Sequence, residues 1–190
     1  NAPRPRAFRA GNLFAVKELY EALGKTGFSL ASNVGLGVHT PVDPELRIEN
    51  STRKIHDVIE LPVTSFLSMG ARKKSLTITG VSFSEITSVI EECIKNGVGN
   101  IVILTHVHEY IKRSKNGLVV RKNRINLSRL EKLCKFVNEH ESLKFSTFGE
   151  LLNDKDFIHH EPDHANKMIT SSPISGLRTV LENLLNDKIF

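Results

Sequence analysis

Tryptophan is absent from these 190 residues and tyrosine occurs only twice. With no aromatic side chains interleaved among its cations, the chain lacks the stacking platform of a single-strand nucleic-acid binder. Two cysteines are too few for a disulfide-stapled miniprotein. Cys93 and Cys134 fall inside predicted helices, without a Cys or His at metal-ligand spacing, and read as reduced core thiols. No apolar run is longer than residues 101–104, whereas a bilayer span needs ~20. Nor does any stretch combine the charged start and apolar middle of a signal peptide. A collagen-like or disordered polymer is excluded in turn by 39% hydrophobic and 25% charged residues, ordinary globular usage.

Charge is present in modest excess. Lys and Arg number 26 against 21 Asp and Glu, a net +5 that permits an anionic partner. The cations gather loosely at Arg72, Lys73 and Lys74, at Lys112, Arg113 and Lys115, and at Arg121, Lys122 and Arg124. Such diffuse clusters read as solvated surface, so a nucleic-acid module ranks last among the functions weighed.

Hydrophobic periodicity gives the elements. Leu13, Val16, Leu19, Tyr20 and Leu23 predict a helix closed by Gly24 and Gly27, then a strand over 28–34. Residues 57–64 predict another strand, with Pro62 at an edge or strand end. Ile86, Val89, Ile90, Cys93 and Ile94 form the stripe of a helix capped by Ser82 or Ser84 and stopped by Gly97. The near-continuous run over 100–108 predicts a strand buried on both faces of a parallel sheet. After an insertion with Lys115, Asn116 and Gly117, a helix follows with Leu127, Leu130, Leu133, Cys134 and Val137 on one face and Ser128 near its start. A last strand is expected over 143–146 and a helix start over 148–152. A final amphipathic helix with Leu177, Val180, Leu181, Leu184 and Leu185 is expected to dock on the outside. The alternation of strand and helix argues for an α/β fold with a parallel sheet or barrel.

In such folds reactive groups gather beyond the C-terminal strand ends, where His106 and His108 are placed. Two residues apart on a strand, they share a face, so one imidazole could do chemistry while the other orients it or binds metal; hydrogen-bonded structural histidines are the alternative. Glu109 beside them could act as a partner, with a solvated loop acid the favoured reading. Arg9, between Phe8 and Gly11, suits bidentate grip on a carboxylate. His159, His160, Asp163 and His164 have the types of a zinc site, although adjacent ligands in a polar connector are as well explained without metal.

Taken in order, these segments resemble the second half of a polysaccharide deacetylase, a carbohydrate esterase family. Phe8-Arg9-Ala10-Gly11-Asn12 and Gly27-Phe28-Ser29-Leu30-Ala31-Ser32-Asn33 resemble the family's Arg-containing third motif and the strand after it. Ile59-Glu60-Leu61-Pro62-Val63-Thr64 is similar to the family's Glu-Ile-Pro segment, and Ile103-Leu104-Thr105-His106-Val107-His108 to its last motif, an apolar strand ending in Leu-x-His. Phe145-Ser146-Thr147-Phe148-Gly149-Glu150-Leu151 is like the closing strand and helix.

The resemblance implies part of a distorted (β/α)7 barrel over 1–152, with an extension over 153–190. It implies metal-dependent hydrolysis of an acetyl group from an N-acetylated sugar in a bacterial surface polysaccharide, such as lipopolysaccharide, or its precursor. His106 takes the place of the general acid, Leu104 lines the acetyl pocket, His108 is placed toward substrate, and Arg9 matches the Arg that orients the catalytic base. The Asp-Asp and His-x-x-x-His motifs that supply the base and the ligands of a divalent metal, zinc above all, have no counterpart here. They are expected in a missing N-terminal half, without which this chain should be inactive. The alternative is a catalytically inactive carbohydrate-binding relative. A cytoplasmic setting is favoured over an exported one, with no membrane span.

Overall fold

The computed structural model describes residues 4–114, 120–154, 157 and 166–188. Four short strands, β1 (Ala7–Phe8), β2 (Leu30–Ala31), β3 (Arg53–Ile55) and β4 (Val58–Glu60), form a sheet in the order β1-β2-β4-β3. β1, β2 and β4 run parallel, and β3 is antiparallel to β4. Helix α1 (Lys17–Lys25) joins β1 to β2 and starts later than its apolar spacing predicts. The reason is local: residues 11–13 make a 3-10 turn in which Asn12 and Leu13 have φ of 55° and 52°, breaking helical periodicity. Tyr20 and Leu23 from α1 pack with Ala31, Val34, Leu46, Ile48 and Val58 in one of two cores.

Pro62 lies just past the end of β4, yet the chain stays in register with the backbone after β2, Leu61 N–H donating to Ala31 O (2.8 Å) and Val63 N–H to Val34 O (2.7 Å). A hairpin of β5 (Ser65–Ser68) and β6 (Arg72–Ser75) then leaves the sheet. Gly37 sits against it so closely that a Cβ would meet the Lys74 carbonyl carbon at 1.9 Å, which no other residue type can do.

The run expected as a fully buried strand over 100–108 behaves differently. Only Leu104 makes a bridge, parallel to Thr77, while 101–104 are half-buried and 105–108 exposed. Its backbone bonds go to Thr64, Leu76 and Ile78 on one side; those of Ile101 and Ile103 face the other way without a partner among the described residues. β1 is likewise an edge among them. The chain is therefore mixed α/β with three small sheets and no closed barrel among the described residues.

Helix α2 (Phe83–Lys95) forms as its sequence dictates. Ser82 Oγ accepts the Glu85 N–H at 3.2 Å, Ile86, Val89, Ile90 and Cys93 are buried, and Gly97 ends the helix at φ 71°. With Phe66, Leu76, Ile78, Val81, Leu133 and Val137 they build the second core. Cys93 and Cys134 are free thiols, the first buried and pushed up to about 12 by burial and then by Glu92. After a basic hairpin of β7 (Ile111–Arg113) and β8 (Val120–Lys122), α3 (Arg124–Glu139) begins four residues before Ser128, capped by Asn123 instead. The insertion residues Lys115, Asn116 and Gly117 lie outside the described residues. No strand forms over 143–146: the segment has no ladder partner and Phe145 is exposed. α4 (Phe148–Asn153) follows, with Thr147 and Glu150 capping each other's backbone.

The C-terminal segment adds β9 (Ile169–Thr170), parallel to β5, and α5 (Pro173–Lys188). α5 docks, but by the face opposite to the one expected. Ser175, Gly176 and Thr179 are buried, whereas Leu177, Val180, Leu181, Leu184 and Leu185 face outward. The attachment centres on Glu85, whose side chain is wholly buried. Its Oε1 accepts from Ser68 (2.6 Å) and Ser171 (2.8 Å), its Oε2 from Thr179 (2.6 Å) and Lys74 Nζ (3.3 Å). Burial works to raise this carboxyl, but the three hydroxyls and the Lys74 charge hold it below its usual range. Arg129, also buried, donates to the carbonyls of Ile78 and Thr79 and to Glu182 and Asn183 of α5. Lys112 bonds the Asn186 carbonyl. Two cations read as solvated surface, Lys74 and Lys112, thus serve as internal ties. No described helix is long and apolar enough to cross a membrane.

Candidate active site

Two groups of side chains stand at the C-terminal ends of the parallel segments. The first follows β1, β2 and β4. Arg9, one residue past β1, donates from Nε to Ser32 O (3.1 Å) and from Nη2 to Ser32 Oγ (2.7 Å), and its guanidinium lies 5.8 Å from the Phe148 ring centroid. Ala10 N–H donates to Asn33 Oδ1 (2.7 Å). Asn33 and Val34 N–H both donate to Glu60 Oε1 (2.8 Å each), and Tyr20 O–H donates to Glu60 Oε2 (2.9 Å). Three strand ends are thereby stitched together by polar bonds.

The expected bidentate carboxylate on Arg9 is not what the guanidinium holds. It grips a carbonyl and a hydroxyl, and no ion pair of Arg9 occurs among the described residues; Glu60 acts on it through space. Desolvation lowers the guanidinium's pKa and the Glu60 charge opposes this. Glu60 itself is fully buried, and desolvation pushes its carboxyl up to about 7 despite the Val34, Tyr20 and Asn33 donors and the Arg9 charge. The backbone just after Arg9 is strained, since Asn12 and Leu13 occupy the left-handed region at about 1 kcal/mol each. Asn33 Nδ2 is buried without a hydrogen-bond partner among the described residues.

The second group follows residues 101–104. Leu104 is half-buried at the bridge with Thr77. His106 is not on a strand beside His108: it enters a 3-10 turn, Val107–Tyr110, that contains His108, and the two rings lie 5.3 Å apart at 33°. Glu109 closes the turn. Its Oε2 accepts the His106 N–H (2.8 Å), its Oε1 lies 3.3 Å from His106 Nδ1 and accepts from the Thr79 hydroxyl (3.0 Å), and its own N–H donates to His106 O (3.1 Å). Partial burial works to raise the Glu109 carboxyl, but these donors hold it below the usual range. Glu109 is therefore a partner, not a solvated loop acid. Asn126 Nδ2 at 2.8 Å from the Glu109 carbonyl ties the turn to the start of α3.

This geometry has chemical content. A carboxylate on Nδ1 favours the tautomer with its proton there, steadies the ring, and stabilises the imidazolium. Nε2 has no hydrogen-bond partner among the described residues, and the His106 side chain is 53% exposed. No hydrogen bond or ring contact joins the Arg9 group to the His106 group among the described residues.

Among the described residues no three His, Cys, Asp or Glu side chains converge as a metal-ligand set, and His106, His108 and Glu109 do not make one. His159, His160, Asp163 and His164 lie outside the described residues. A cavity of about 350 Å³ lined by Lys17, Glu45, Arg53, Lys54 and His56, among others, contains none of the candidate residues. Sequence reasoning passed over Glu60, Tyr20 and Asn33; the one visible signal was an acidic residue inside the apolar run of β4. Comparison with protein-family models, with curated proteins and with solved structures finds no match for this chain.

Proposed function

We propose that this chain carries part of the site of a hydrolase that removes the acetyl group from an N-acetylated sugar of a bacterial surface polysaccharide or its precursor, with His106 as general acid. The observation that carries the reading is the His106–Glu109 pair, an exposed imidazole held by a carboxylate on Nδ1 at the end of a parallel segment. The order of the sequence motifs, from Arg9 through Glu60 to His106, supports it.

In amide hydrolysis, water adds to the acetyl carbonyl and the tetrahedral intermediate collapses by breaking the C–N bond. The departing nitrogen is far too basic to leave as an anion, so it must take a proton as the bond breaks. Protonated His106 supplies that proton from Nε2, and Glu109 offsets the imidazolium charge until transfer. Leu104 is placed to border the acetyl methyl group, and His108 to meet the sugar. Arg9 is a positioning residue, holding the Ser32 carbonyl and hydroxyl and biasing local charge. The activity is metal-dependent in this reading. The described residues provide no ligand set, so the ligands and the catalytic base come from residues outside them, and the steps assigned to this chain are those of its own side chains.

The test is elemental analysis of the full gene product and of the 190-residue chain, each alongside acetate release from an N-acetylated oligosaccharide. Near-stoichiometric zinc, cobalt or nickel with acetate release from the full product supports the reading. Saccharide binding without metal or acetate release would replace it with a carbohydrate-binding function. For Arg9→Ala, turnover should fall about 10-fold with the thermal midpoint nearly unchanged, because the loss is of positioning rather than of core. Unaltered kinetics would make Arg9 purely structural.

A further inference from the structure

α5 is built inside out. Its residues that touch the body are Ser175, Gly176, Thr179, Glu182, Asn183 and Asn186, nearly all through hydrogen bonds or an ion pair. Its opposite face carries Ile174, Leu177, Leu181 and Leu184, flanked by Val180 and Leu185, and these six are between 41% and 82% exposed. The spacing of the first four is three, four, three, the a and d seam of a coiled coil.

We propose that this face is a two-fold interface with a second copy of the chain, α5 packing antiparallel against α5. Three observations favour that occupant. The three-four-three spacing reads the same from either end, so a reversed copy sets Ile174 opposite Leu184 and Leu177 opposite Leu181 in four complete layers. No charge sits in the seam, and Arg178 beside it is already paired to Glu182 at 3.4 Å, so closure buries no lone ion. Six side chains exposing on the order of 100 Å² each give about 600 Å² per copy and about 1,200 Å² per pair, the lower end of the range for specific dimers. The described residues that bond α5 lie on its far face, and opposed helix dipoles favour the antiparallel sense.

Sedimentation velocity on the full gene product, from about 1 to 100 µM, tests this. A dimer is expected, with Leu181→Glu and Leu177→Glu each monomeric at the highest concentration, unchanged in far-UV circular dichroism, and matching the thermal midpoint of wild type diluted to its monomeric range, since both side chains are exposed. Val180→Cys in a Cys134→Ser background is expected to form a covalent dimer under mild oxidant, because residue 180 meets its own copy near the two-fold axis. A wild-type protein that stays monomeric to about 100 µM, even if it sediments with phosphatidylglycerol vesicles, overturns the proposal. So does a dimer that survives Leu181→Glu, or the absence of any Val180→Cys cross-link.

Discussion

Replacing His106 with alanine is expected to lower the kcat for acetate release by about 100-fold or more, with metal content retained and the fold intact. The expectation follows from where the side chain sits. His106 is exposed and contributes no core packing, and the turn beneath it is held by backbone bonds: Glu109 to the His106 N–H, Glu109 N–H to the His106 carbonyl, and Asn126 to the Glu109 carbonyl. None of these needs the imidazole. What alanine removes is an exposed imidazole, the proton donor of the proposed reaction, so the loss is expected to fall on the chemical step and not on stability. An unchanged rate would take His106 out of the mechanism. A fall in thermal midpoint matching the fall in rate would make the imidazole structural instead.

The second large effect concerns Glu60, and its sign depends on pH. Its carboxyl is raised from 4.5 to about 7 in the folded protein, so between those values the folded state keeps a proton that the unfolded chain releases. Stability from this group is fully present below pH 4.5, declines as pH rises toward 7 by up to about 3 kcal/mol, and is flat above. Glu85 and Glu109, both held below the usual carboxylate range, act in the opposite sense and at lower pH than Glu60. Glu60→Gln keeps an acceptor for the Asn33 and Val34 N–H groups without a charge. Its urea-unfolding profile should therefore fall less steeply than wild type across the interval and lie above it at pH 8. Glu60→Ala leaves two buried N–H donors and the Tyr20 hydroxyl without their acceptor and opens a cavity, so at pH 5 it should cost about 3–5 kcal/mol. Parallel profiles for wild type and Glu60→Gln would show that the carboxyl ionises normally in the fold.

Much of this was legible where the signal is local. The Ser82 cap, the stripe from Ile86 to Cys93 and the Gly97 stop lie within one stretch of chain, and α2 formed as read. Arg9 and His106 could be placed near strand ends for the same reason. Glu60 was not legible as a hub because its partners come from 26, 27 and 40 residues away, and nothing in their own neighbourhoods announces them. Glu109 is a different case. Its three-residue spacing from His106 is a local capping pattern, and the partner reading was ranked second by weighing the acid alone and not the turn. The strand predicted over 143–146 failed because apolar alternation does not supply a ladder partner. The face of α5 was misread because an apolar stripe was assumed to seek the body, whereas the buried partner there is the Glu85 carboxylate, which can be satisfied only by hydroxyls and a cation.

That last arrangement sets how α5 responds to temperature. Detaching it would hydrate hydroxyls, amides and a glycine instead of hydrocarbon, so it would add little to the positive heat-capacity change that accompanies exposure of apolar surface. The two cores, made of leucine, isoleucine and valine, lose part of their driving force on cooling. The grip on the C-terminal helix does not share that weakness, so in the cold it is the cores, and not the helix attachment, that loosen first.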